Sequence, residues 1–136
     1  MACTAVIAQN AGVASVIEWA KLALTAPQAR VLRVTRIRYD DADRAVAFEE
    51  VVLALDCFPD RSLTDCEIPE IFELAKRHGI SLGRSSERIS MVQASKSIAS
   101  HLGITIGAAV LKMDRIAETA DGQPIEWRVA FTRKSD

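Results

Sequence analysis

The sequence is short of the residues that usually announce a chemistry. Among 136 residues there are three cysteines, two histidines, six glycines and four prolines, and aromatics make up 5%. Cys3, Cys57 and Cys66 are odd in number and form no CxxC pair. That excludes a disulfide framework and points to a reducing, cytoplasmic setting. His78 and His101 each lack a second histidine or a cysteine at ligand spacing, so no zinc is expected. Asp40, Asp41 and Asp43 lack the glycine and the ligand spacing of a calcium loop and fit a solvated hairpin tip. No GxSxG, GxGxxG or P-loop occurs. Cys57 and Cys66 have no histidine close in sequence to activate them. Glu49 and Glu50, adjacent on a strand, point to opposite faces and make no catalytic pair. Nothing here calls for a cofactor, a metal or an enzyme.

Charge of one sign is also missing. Seventeen Lys and Arg face eighteen Asp and Glu, a net charge of −1, so the chain carries no electrostatic footprint for nucleic acid. The opening stretch, MACTAVIAQNAGVASVIEWAKLAL, has no basic region, and Gln9, Asn10, Glu18 and Lys21 break its apolar run. It is too interrupted for a signal peptide or a membrane span. Residues 1–11 read as a ragged lead-in, and 12–136 as one domain. The remaining balance, 49% apolar and 26% charged, is that of a soluble globular protein with a proper core.

What is present is a repeat. Residues 31–37, VLRVTRI, return as residues 110–116, VLKMDRI. At an offset of 79, Val31, Leu32, Arg36 and Ile37 match Val110, Leu111, Arg115 and Ile116. Val46 and Phe48 fall on Ile125 and Trp127, and upstream Ala20 falls on Ala99. The implied unit is helix, turn, strand, hairpin and strand, used twice without a gap.

Apolar periodicity predicts a helix over residues 12–23, ended by Pro27. Two strands follow at 30–39 and 45–55, then a loop over 57–64. A helix is expected over 69–78, with Pro69 in its first turn, Glu70 complementing the dipole and Gly79 as the stop. A weaker strand at 80–92, a short helix over 95–102 closed by Gly103, and strands at 108–118 and 124–133 complete the chain. The fold class is α+β, an antiparallel sheet with helices packed over it.

Alternation puts Leu32, Val34, Arg36 and Arg38 on one face of the first long strand. A row that runs from aliphatics into two arginines fits the mouth of an anion pocket, because the guanidinium fork matches carboxylate or phosphate. The plainer alternative pairs Arg36 and Arg38 across the hairpin with Glu49 or Glu50. Arg115, opposite no second arginine, reads as structural, and Trp127 and Phe131 as core.

Four segments in this order, VLRVTRIRYDDADRAVAFEE (31–50), IPEIFELAKRHGISL (68–82), SERISMVQASKSIASHLGITIGAAVLKMDRI (86–116) and DGQPIEWRVAFTRKSD (121–136), resemble the UTRA domain. That domain is the effector-binding half of the HutC branch of GntR bacterial transcription regulators. The resemblance implies a chorismate-lyase-like fold, a small-molecule pocket and a homodimer. It also implies that DNA is read by a winged helix-turn-helix not present in residues 12–136. By the same resemblance Arg36 and Arg38 hold the anionic end of the effector, Glu49 and Glu126 face it, and Arg133 belongs to the closing motif. Phe72 and Thr132 stand where tyrosines are usual, and Glu70 where serine is usual. Losing those hydroxyls tilts the expected ligand, among organic acids, amino acids and sugar phosphates, toward a small organic acid. A chorismate-lyase-type enzyme on the same scaffold, and a dimerisation module with a collapsed pocket, are the competing readings.

Overall fold

The computed structural model describes residues 3–58 and 68–134. Six strands, β1 (Cys3–Val13), β2 (Arg30–Tyr39), β3 (Ala45–Ala54), β4 (Leu82–Gln93), β5 (Ala109–Thr119) and β6 (Pro124–Arg133), make one sheet. The order is β1-β2-β3-β6-β5-β4, every pairing antiparallel. Helix α1 (Val16–Lys21) links β1 to β2, α2 (Ile71–Arg77) follows β3, and α3 (Lys96–Leu102) links β4 to β5. This is the expected α+β architecture.

Both faces of the sheet are covered, by different helices. On one face Leu32 and Val34 of β2, Val51 and Leu53 of β3 and Ala117 of β5 pack under Ile71 and Leu74 of α2. On the other, Leu22 beside α1 sits with Val31, Val52 and Ala54, and Ala99 and Leu102 of α3 sit with Ile37, Phe48 and Val110. Strands β2 and β3 therefore have apolar residues on both sides, which blurs their alternation in sequence.

The sheet order reads alike from either edge once β1, β2, β3 are exchanged for β4, β5, β6. Ser15 and Ser95 cap α1 and α3 with the same extended backbone, φ −68° in each. The backbone bond of Ala14 to Ala29 has its counterpart in that of Ala94 to Ala108. The helices correspond at an offset of 80 and the strands at 79, so the gapless register expected from Ala20 and Ala99 does not extend to the helices. One residue is lost between Ile104 and Ala108 relative to Leu24 and Ala29. Past each helix the chain turns left-handed, at Gly103 (φ 64°) and at Ala23 (φ 48°). Glycine enters that region freely; alanine is strained there.

Three expectations need correction. Residues 3–13 are no lead-in: they are an edge strand paired along its length with β2. The helix expected over 12–23 is only Val16–Lys21, because Val13 is still paired with Arg30 and Ser15 is the cap. In α2 the N-cap is Glu70, whose carboxylate accepts from the N–H groups of Phe72 and Glu73, so Pro69 lies before the helix rather than in its first turn. Most of the expected 57–64 loop lies outside the described residues.

Glu18 fastens α1 to the sheet. Its carboxylate accepts from the Ser15 N–H at 2.8 Å while the Ser15 hydroxyl accepts from the Glu18 N–H at 3.2 Å, a capping box. Arg33 of β2 donates to both Glu18 oxygens at 2.8 Å. That bidentate bond is the main reason the Glu18 carboxyl sits below its ordinary range, with burial opposing. A depressed carboxyl stabilises the fold above its unfolded-state pKa and loses that contribution as pH falls through the lowered folded-state value. Glu18→Gln should cost roughly 1–3 kcal/mol at neutral pH. The gap to the native chain should narrow toward pH 3, as followed by urea unfolding across that range.

Candidate functional site

A cavity of about 580 Å³ lies between α2 and the sheet. The strands contribute Thr4 and Val6 from β1, Arg36 and Arg38 from β2, Glu49 from β3, Arg128 from β6 and Arg115 from β5. Ile68, Pro69, Glu70, Glu73 and Arg77 form the opposite wall. The register explains the convergence. Val6 is paired with Arg36, Arg36 with Glu49, and Arg115 with Arg128, so these side chains emerge on the same face in neighbouring strands.

Glu49 is at the centre and is 1% exposed. Arg36 Nε lies 3.4 Å from one of its oxygens, Arg38 Nη2 donates to the other at 3.3 Å, and Arg128 Nη2 donates to that second oxygen as well. Arg36 also donates to the Ile68 carbonyl at 3.4 Å. Beside this group, Arg115 Nη2 donates to buried Glu126 at 3.0 Å. Burial pulls the Arg36 guanidinium below its ordinary value, against the pull of Glu49 and Glu126. Burial likewise pushes the Glu126 carboxyl upward, against Arg115. Among the described residues, two buried donors, Arg36 Nε and Arg115 Nε, have no aligned hydrogen-bond acceptor. Unsatisfied buried groups of this kind are costly, and the ion pair of Arg36 Nε with Glu49 offsets part of that cost.

The UTRA domain family model matches residues 4–136. The chain belongs to the UTRA domain family. Its fold matches a GntR-family transcriptional regulator from Enterococcus faecalis V583 with a TM-score of 0.81 and 27% identity, over 96% of this chain and 92% of that one. It matches the effector domain of PhnF from Mycobacterium smegmatis with a TM-score of 0.87 and 20% identity, over 98% and 81% of the two chains. Against a second PhnF structure the TM-score is 0.86 at 20% identity, and the match takes in 97% of this chain but only 58% of PhnF. No curated protein matches the sequence.

Within this UTRA domain the structure brings together Arg36, Arg38 and Glu49. The two arginines pair across the hairpin with Glu49, and they line a cavity. Glu50 is on the other side of the sheet, exposed. Glu126 lies behind the cavity wall as the partner of Arg115. Arg115, read from sequence as structural, lines the cavity. Phe72, Thr132 and Arg133 do not. Phe72 is 64% exposed, because the inward stripe of α2 is Ile71, Leu74 and Ala75, and the next residue after Ile71 is rotated away. Thr132 and Arg133 sit at the end of β6, beyond Arg128. The missing hydroxyls at 72 and 132 therefore do not bear on this cavity, and of the three departures only Glu70, in place of serine, lines it.

Arg128 was overlooked, although alternation with Glu126 places it on the same face. Thr4 could not be found from sequence, since nothing local marks β1 as a strand. Removing the central charge tests the cluster. Glu49→Gln leaves three arginines around a neutral amide and should cost about 3–5 kcal/mol, the usual loss on breaking a buried pair, seen as an earlier thermal transition.

Proposed function

We propose that this domain senses a small anionic metabolite in the cavity under α2 and, as a homodimer, passes occupancy to a DNA-reading domain outside residues 3–134. The observation that carries the reading is a row of four arginines, Arg36 buried and the others reaching toward solvent, that lines a cavity of metabolite size. Guanidinium forks suit carboxylate and phosphate oxygens. The family and the regulators it resembles supply the context of effector-controlled transcription. Binding rather than catalysis is favoured by Glu49, whose two oxygens are engaged by three arginines and are poorly placed to move a substrate proton.

The experiment is a thermal-shift screen of anionic metabolites on the native chain and on Arg38→Ala. Arg38 is half exposed at the cavity, so its loss should leave the fold in place. A ligand at a hundred times its dissociation constant should stabilise the native chain by about 2.7 kcal/mol. The shift should be largely lost in the variant. An early-melting variant with no ligand response in either protein would put the arginines in a purely structural role.

The dimer reading rests on the β4 edge. Ile89 and Met91 of β4 and Leu111 of β5 are 57%, 52% and 39% exposed and lie on one face. Adjacent exposed apolar side chains beside an unpaired strand edge are normally covered. A second copy covering them predicts that Ile89→Asp with Met91→Asp shifts the sedimentation coefficient from dimer to monomer. An unchanged value would move the interface elsewhere.

A further inference from the structure

The internal repeat supplies a control for which parts of the sheet are covered. At the offset of 79, Leu32, Val34, Val51 and Leu53 correspond to Leu111, Met113, Ala130 and Thr132. The first four share one face of β2 and β3, are at most 2% exposed, and pack under α2. Their counterparts lie on the same face of β5 and β6, and none belongs to a core packed by α1, α2 or α3 among the described residues. Leu111 is left 39% exposed, with Ile89 and Met91 of β4 more open still beside it. Alternation makes Arg115 the next residue on that face after Met113, and Arg128 the next to Ala130. The bare apolar patch therefore borders the arginine cavity, which α2 walls on another side.

Resting on the homodimer reading above, we infer that a second copy of this chain seats on Ile89, Met91, Leu111 and Met113 and forms a missing wall of the cavity. Charge favours a copy of the same chain. Glu87 is exposed next to Ile89 on the patch face, and Arg38 lies in one row with Ala47, Thr132, Leu111 and Met91. A surface bordered by both signs can complement itself, as a two-fold contact requires. Size decides how far the contact runs. Three strands by two rows of side chains span roughly 14 by 13 Å, about 200 Å² in projection. A stable dimer takes roughly 800 Å² from each partner. Past β4 the sheet ends, so the contact extends along the same face toward β3 and β2, over Arg38 and the cavity mouth. A ligand in the cavity then touches both subunits. By reciprocity, filling the cavity tightens the dimer by the factor by which dimerisation tightens the ligand.

The test joins sedimentation velocity to arginine modification, on the native chain and on Leu111→Asp. Labelling with phenylglyoxal, mapped by mass spectrometry, gives the reactivity of Arg38 in each. The native chain should sediment as a dimer and the variant as a monomer. Arg38, whose side chain is 48% exposed in the single chain, should react roughly tenfold more slowly in the dimer, because an interface core excludes solvent. Arg30, exposed at the far end of β2, should react alike in both. Should Leu111→Asp fail to fold, Met91→Lys on the exposed edge strand gives the same comparison. A monomeric variant with unchanged Arg38 reactivity would overturn the shared cavity and leave the dimer in place. A variant that still dimerises would overturn the patch as the seat. A monomeric native chain would overturn the homodimer reading together with this inference, while the pocket reading stands or falls by the thermal-shift screen alone.

Discussion

Everything at the centre of this domain depends on one buried carboxylate. Glu49 lies on a middle strand, with Arg36 and Arg38 reaching it from β2 and Arg128 from β6. A carboxylate so deeply buried is tolerable only with charged partners around it, and three guanidinium groups so close together are tolerable only around a carboxylate. The group is therefore a mutual constraint between three strands that local propensity does not supply. It also leaves a positive remainder, since one carboxylate cannot offset three cations. A core built for stability alone would more often use well-packed aliphatics in these positions, as Val51 and Leu53 do further along β3.

The position of the cavity follows from how the two halves differ. Helices α1 and α3 occupy corresponding places on one face of the sheet, each capped by serine and each followed by a left-handed turn. Helix α2 follows β3 and has no counterpart among the described residues. It crosses to the opposite face and covers it with a short stripe, Ile71, Leu74 and Ala75. Seven residues of helix cannot cover a face six strands wide. The uncovered part, toward Arg36, Arg115 and Arg128, is the cavity.

The central strands and both hairpins were legible in the sequence because β-branched runs, turn residues and a repeated VLR/VLK segment all favoured the same assignment. Strand β1 was not. Its residues, CTAVIAQNAGV, interrupt the β-branched Val6, Ile7 and Val13 with Gln9, Asn10 and Gly12, so composition alone gave no clear strand pattern, and pairing with β2 holds it extended. For the site, face alternation placed Arg36 and Arg38 together, the family resemblance supplied Glu126, and Arg128 on the same face was passed over. Arg115 was set aside because its partner, Glu126, is eleven residues away on another strand, and a lone arginine beside an alanine looks structural. Phe72 was placed by family position, where one helical step of 100° separates the inward stripe from solvent.

The same geometry says which part of the domain can report that the cavity is filled. The sheet is held by backbone ladders along all five interfaces and offers little room to move. Among the described residues, helix α2 is held to it by the inward side chains Ile71, Leu74 and Ala75, by Ile68 packed in the same core, and by the bond from Arg36 to the Ile68 carbonyl. That bond comes from the same guanidinium whose Nε is ion-paired with Glu49 at 3.4 Å. On the effector reading, an anion that takes up Arg36 competes for, or strengthens, the bond that fixes the start of α2. Ligand charge and helix position then draw on one side chain, which is the physical requirement for coupling a binding event to a change of shape.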